Sequence, residues 1–342
     1  MKLRAAFLLL SIALLGCGPG GEAPPSDPGI EPPAMATTLH PKVDFDKWAK
    51  VFPIETFQKH SGPRRFPSTA PGDPLDLWKP NGTAITSPAD LCHIELVRKQ
   101  YALSHDLGRA VPVDIVLWSV APAVKPFLTK LGGVPHRESA RPWPTAEGKP
   151  YTFVAQFCFG DSRDIVSRRI PDDVMLIFFK DSESLFDPNE VHIEWSSIEL
   201  QSPLSADDCP PPSFVVPQLS GHLYRTNEYP ESREIFEQAG HYQSYLFPAT
   251  QSTKIGRETF FIQNDPRGPR NGLLCALNSV CPDTWTPGRK WPFIGLETIP
   301  GDSANPGEHS GWGKYEMMFA DTGCMYFLID DKGTVTWTWD CY

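Results

Sequence analysis

Seven short apolar runs constrain the fold of this chain more than any other feature. They are VDIVLWSV (113–120), YTFVAQFCF (151–159), VMLIFF (174–179), VHIEW (191–195), ETFFIQ (258–263), CMYFLI (324–329) and VTWTW (335–339). Their length is that of strands rather than helices, and β-branched and aromatic residues dominate them. The connections are long and draw heavily on the chain's 37 prolines, which interrupt helices and central strands alike. Strand and helix do not alternate regularly, which argues against a doubly wound parallel sheet. Two helices are legible. SPADLCHIELVRKQYAL (87–103) opens on a Ser N-cap followed by Pro at the first helical position, with Leu91, Ile94, Val97 and Tyr101 at helical spacing. PESREIFEQAG (230–240) has Gly240 as its stop.

An internal echo extends this reading. TKLGGVP (129–135) is followed by FVAQF (153–157) and DDVMLIFFKD (172–181). Later, TKIGRET (253–259) is followed by LLCAL (273–277) and DTGCMYFLIDD (321–331). Order and character repeat: Lys-apolar-Gly, a buried strand, then an apolar strand bracketed by Asp. The expected fold class is α+β and β-rich, one domain of two related halves with mostly antiparallel sheets and a few short helices.

The N-terminus specifies an address. Lys2 and Arg4 precede an apolar run from Ala5 to Leu15, broken only by Ser11. At about ten residues this run is too short to cross a bilayer, which needs ~20. It ends Leu14-Leu15-Gly16-Cys17, resembling a bacterial lipobox in which cleavage leaves Cys17 to be acylated. Residues 1–16 are therefore expected to be a lipoprotein signal peptide. Residues 17–38 would be the lipidated Cys17 and a Pro/Gly-rich tether, with a globular domain over 39–342. Fully extended, the tether would reach up to ~60 Å. The implied location is the bacterial cell envelope, on the outer membrane or the periplasmic face, with the membrane contacted through the lipid anchor.

Charge narrows the partners. The chain has 31 basic and 41 acidic residues; losing Lys2 and Arg4 leaves 29 against 41, a balance of −12. Phosphate backbones would be repelled, so no nucleic acid is expected. Besides Cys17 there are seven cysteines: Cys92, Cys158, Cys209, Cys275, Cys281, Cys324 and Cys341. An exported protein permits disulfides, and an odd count leaves one thiol over. Cys324 and Cys341 flank a hairpin with Asp-Asp-Lys-Gly at its turn. A two-residue loop would bring them onto one face, as a bridge or as two buried thiols. A three-residue loop would disturb that pairing.

Several stretches resemble the YwqG-like family, a bacterial domain of unknown function: KLGGVP, RPWPTAEGKPYTFVAQ, GRETFFIQNDP and FADTGCMYFLID. The likeness is strongest over 110–342. Three positions depart from the family pattern: Gly256-Arg257 stands for Gly-Gly, Phe319-Ala320-Asp321 for Trp-Gly-Asp, and Ala276 for Gln. The resemblance implies a β-rich fold of duplicated character and no established reaction. Members of this family are often suspected of acting as immunity factors beside toxin systems.

The residues offer little chemistry. No Cys/His ladder, His pair at helical spacing, P-loop, GxGxxG or GxSxG elbow is present, so no catalytic residue, metal or cofactor is assigned. The amide of Gln156, inside an apolar strand, needs hydrogen-bonding partners from backbone or ligand. Trp143, bracketed by Pro142 and Pro144, is expected close to it beside a surface groove. Gln263 and Asp321, from the later motifs, complete the candidate binding set. The leading expectation is a non-enzymatic protein-binding or immunity-type module. The alternative is a hydrolase, or another enzyme acting on an envelope substrate, with dispersed catalytic residues.

Overall fold

The computed structural model describes residues 38–43, 88–167, 169–187, 190–238, 247–280, 294 and 315–342. The signal segment, Cys17, the tether before residue 38, Gly240 and Cys281 lie outside the described residues. One compact unit runs Thr38–Tyr342. Its strands are β1 (Val111–Ser119), β2 (Lys130–Leu131), β3 (Thr145–Ala146), β4 (Lys149–Pro150), β5 (Thr152–Cys158), β6 (Val174–Phe179), β7 (Val191–Ser196), β8 (Leu219–Glu228), β9 (Lys254–Gly256), β10 (Asn271–Asn278), β11 (Cys324–Asp330) and β12 (Val335–Asp340). Ten form one sheet in the order β12-β11-β10-β9-β1-β8-β2-β5-β6-β7, every pair antiparallel, and β3-β4 is a separate hairpin. The fold is β-rich with few short helices, as the runs imply.

The sheet curls. The rings of Phe157 on β5 and Phe327 on β11 lie 6.4 Å apart although their strands belong to opposite wings. The inner face holds the largest core, including Val116, Trp118, Ile177, Phe179, Leu274 and Met325. Alternation sends the neighbouring side chains outward. On the outside, α1 (Pro88–Ala102) lays Leu91, Ile94 and Val97 against Val113, Ile115 and Leu117 of β1, with Phe236 of α2 (Arg233–Gln238) beside them. Central strands buried on both faces become unbroken apolar runs, which is why β1, β5, β6 and β11 stand out in the sequence. Among the described residues no helix is long and apolar enough to cross a membrane.

Two expectations change, and one strand is new. Residues 258–263 are not a strand. Phe261 and Ile262 instead pack on the outer face of β10 and β11, where Tyr326 Oη accepts the Ile262 amide at 3.0 Å. Their apolar character comes from covering a sheet rather than belonging to one. The longest strand, β8, shows no apolar run, because LSGHLYRTNE carries buried polar groups at Ser220, Thr226 and Glu228. The terminal hairpin has the three-residue loop Asp331–Gly333, with Gly333 at φ 84°. That loop places Cys324 opposite Asp340. Cys341, one residue on, falls to the other face, so the Cys324–Cys341 bridge does not form. Among the described cysteines none is at disulfide distance.

The echoing segments meet their neighbours in matching registers. Lys130 pairs with Gln156 and Lys254 with Ala276. Register shifts fall between Phe153 and Ala155 and between Leu273 and Cys275. Thr129 O accepts the Gly221 amide and Thr253 O the Val116 amide, each at 2.8 Å. Thr129 Oγ1 accepts from Cys158 N at 3.0 Å, and Thr253 Oγ1 from Asn278 N at 3.1 Å.

Candidate functional site

Gln156 is fully buried, and all its partners are backbone. Its Nε2 donates to Pro126 O (2.9 Å) and Leu128 O (2.7 Å), while its Oε1 accepts the His136 amide at 3.0 Å. This amide is a rivet for the loop between β1 and β5, and both of its N–H groups are committed to backbone carbonyls. Trp143 donates Nε1–H to Tyr151 O at 2.7 Å, stands edge-on to Phe178, and lies under the Arg137 guanidinium at 5.2 Å. Trp143 and Gln156 are thus joined through the consecutive residues His136 and Arg137. The turn between β3 and β4 uses positive φ at Glu147 (52°) and Gly148 (77°), as a tight hairpin requires.

Gln263 and Asp321 meet elsewhere, around the C-terminus. Gln263 Nε2 donates to Cys341 O at 2.7 Å, and Asp321 O accepts the Tyr342 amide at 3.2 Å. The four candidate residues therefore occupy two separate places.

Sequence spacing missed a cleft of about 450 Å³ lined by His40, Lys42, Asp114, Asp161, Asp164 and Arg225. Arg225 of β8 faces its cross-strand partner Asp114 on β1, with Nε–Oδ1 2.6 Å and Nη2–Oδ2 3.0 Å. A second carboxylate, Asp164, takes Nη1 at 2.8 Å. These bonds hold the guanidinium above its ordinary pKa and Asp164 below its own. The Arg225 side chain remains 41% exposed, so it is fixed yet presented to solvent.

Beside the cleft lies a chain of three side chains. His40 Nδ1 is 2.9 Å from Asp161 Oδ2, and its Nε2 is 3.0 Å from Thr129 Oγ1. The Thr129 amide also donates to Nε2, at 3.1 Å, so the imidazole proton sits on Nδ1, towards Asp161. Burial alone would raise the Asp161 pKa, but bonds from the His40 ring and the Leu39 and His40 amides hold it below the usual range. The order is that of an Asp-His-hydroxyl relay. Thr129, however, is fully buried.

Two further groups converge on the loop riveted by Gln156. Lys130 Nζ donates to Pro126 O at 2.9 Å, the same carbonyl that Gln156 holds. His136 is 4% exposed; its Nε2 bonds Ser197 O at 2.9 Å, and its Nδ1 has no partner among the described residues. Among the described residues no group of three or more His, Cys, Asp or Glu side chains is placed to hold a metal ion.

The family evidence agrees with the motifs. A family model described as "Domain of unknown function (DUF1963)" matches residues 129–341, consistent with the YwqG-like likeness. No curated protein matches the chain. The match takes in every strand from β2 to β12, and the chain belongs to the DUF1963 family of domains of unknown function.

Proposed function

We propose that this protein is an envelope-anchored lipoprotein whose domain binds a protein partner and performs no chemistry of its own. Arg225 carries the reading. A guanidinium held by two carboxylates and still exposed at the mouth of a cleft loses little freedom on binding, and such arginines are enriched among the residues that dominate interfaces. The acidic balance and the lipobox-like Leu14-Leu15-Gly16-Cys17 support display on an envelope rather than contact with nucleic acid. An immunity role, blocking a toxin at the membrane, is the version that the family likeness favours.

A hydrolytic reading has one observation behind it, the Asp161–His40–Thr129 relay. The same geometry weighs against it. The Thr129 hydroxyl is sealed from solvent and accepts the Cys158 amide, and the Thr129 amide already occupies His40 Nε2. The relay reads best as a clamp that ties the 38–43 segment to Thr129, just before β2, and to Asp161, just after β5.

The matched registers and paired Thr129 and Thr253 contacts support reading the sheet as two related halves. Each half would run from a long strand through a Thr-Lys strand into a three-stranded meander, with the two long strands β1 and β8 side by side. Anchoring has a direct test: labelled palmitate is expected to enter the wild-type protein and to be lost from Cys17→Ser. Incorporation surviving that change would overturn the lipid anchor.

A further inference from the structure

Lys130 and Lys254 hold matching positions with unlike surroundings. Both are preceded by Thr, both sit in a short strand beside a bulged one, and each donates Nζ–H to the carbonyl four residues back, Pro126 O at 2.9 Å and Thr250 O at 2.6 Å. Lys254 also meets a buried carboxylate, Glu228 Oε1, at 2.6 Å. For Lys130 no carboxylate pairs with the amine among the described residues. Burial pushes the Lys130 amine down to about 8, with only the Cys209 thiol acting in the other direction. A half-buried ammonium without a counter-charge is costly, and an anion would relieve that cost.

The second observation is independent. The unpartnered Nδ1 of His136 is a buried acceptor in the neutral ring, because Nε2–H serves Ser197 O. Burial lowers the imidazole pKa, and the nearby Lys130 charge lowers it further. Gln156 ties the two groups together, gripping Pro126 O beside Lys130 and the amide of His136. Protonated at Nδ1, His136 becomes a donor in the neighbourhood where Lys130 already offers ammonium hydrogens.

We propose that Lys130 and His136 form a binding site for a carboxylate, which takes against Lys130 the place that Glu228 takes against Lys254. Lys130 Nζ donates to the carboxylate, and His136, taking up a proton as the ligand enters, donates from Nδ1. Glu138 favours that protonation. Asp208 and Arg137 act on Cys209 with opposite signs. Phe127 stands edge-on to the imidazole, and Lys125 Nζ lies 5.6 Å from the centre of the Phe127 ring. A free small carboxylate and a peptide C-terminus share this chemistry.

Because the free imidazole is neutral above its lowered pKa, binding takes up a proton, and affinity falls by up to about tenfold per pH unit between the free and the bound midpoints of His136, then levels off. Above about 8 the free amine also loses its charge and the fall resumes. The test follows the His136 ring by nitrogen NMR in the full-length protein, with acetate, a tripeptide with a free C-terminus, and that tripeptide's C-terminal amide. Acetate or the free peptide is expected to move the His136 protonation midpoint up by about one pH unit or more. The C-terminal amide and chloride at equal ionic strength should leave it in place. Lys130→Met, with an unchanged circular dichroism spectrum, should abolish the response. A peptide saturating at least tenfold below acetate identifies a protein terminus as the source, and equal affinities identify a free carboxylate. No shift with either carboxylate, an equal shift with chloride, or a response surviving Lys130→Met overturns the site.

Discussion

Replacing Glu228 by Gln should lower the stability of the domain by about 3–5 kcal/mol, because it removes the carboxylate that two buried cations share, leaving Arg98 with Glu95 alone and Lys254 with no ion pair among the described residues. Glu228 is fully buried and sits between Lys254 and Arg98. Thr250 completes its shell, Oγ1 donating at 2.5 Å and the backbone amide at 3.0 Å. Burial works to raise the Glu228 pKa, and the two cations outweigh it, holding the carboxyl below its usual range. Lys254→Met should cost less, below about 2 kcal/mol, since Glu228 keeps Arg98 and Thr250 and one desolvated charge disappears. Thermal unfolding reads the difference, with the Gln variant falling on the order of 10 °C. The pH dependence follows from the depressed carboxyl. Its contribution is complete above the ordinary carboxylate value of ~4.3 and is lost as pH falls through the lower folded value, so the variants converge in strong acid. Equal costs for both variants at neutral pH would show that the pair with Lys254, rather than the shared carboxylate, holds the cluster.

Gln156→Met should cost about 2–4 kcal/mol, although Met matches the chain length. The change leaves Leu128 O and the His136 amide buried without the partners they now have, while Pro126 O keeps Lys130. Amide hydrogen exchange separates this loss from general loosening. Protection at His136 should fall by more than the global stability change predicts, while Val116, whose amide bonds Thr253 O, should follow the global change. Exchange at His136 tracking the global change would contradict the rivet.

How much of this was legible depended on whether a residue's role is local. The strands β1, β5, β6, β7, β11 and β12 were readable because burial and alternation write themselves into consecutive residues. The β8 strand was not, since its buried Glu228 and Thr226 meet partners on α1 and β9 that sequence distance hides. The terminal hairpin was read correctly as a hairpin. Its register turned on one loop residue, and that single step moved Cys341 to the opposite face. Gln156 stands out because a lone amide in an apolar strand must be satisfied; that the partners are backbone only the fold can say. The cleft could not be found by spacing. His40 and Asp161 are 121 residues apart, and Asp114 and Arg225 111. One signal is written twice in the chain. Thr-Lys occurs at both 129–130 and 253–254, and the two lysines differ only in what the rest of the chain brings to them.

The central claim is that the domain binds rather than catalyses. Affinity purification of the full-length protein from detergent-treated lysates of the cells that make it tests it most directly, with Lys42→Glu as the matched control, because Lys42 is exposed at the cleft and makes no ion pair among the described residues. The account predicts that one protein co-purifies in stoichiometric amount with the wild type and is lost with Lys42→Glu. Failure to recover any stoichiometric protein, together with turnover of an envelope substrate that Thr129→Val abolishes, would contradict it.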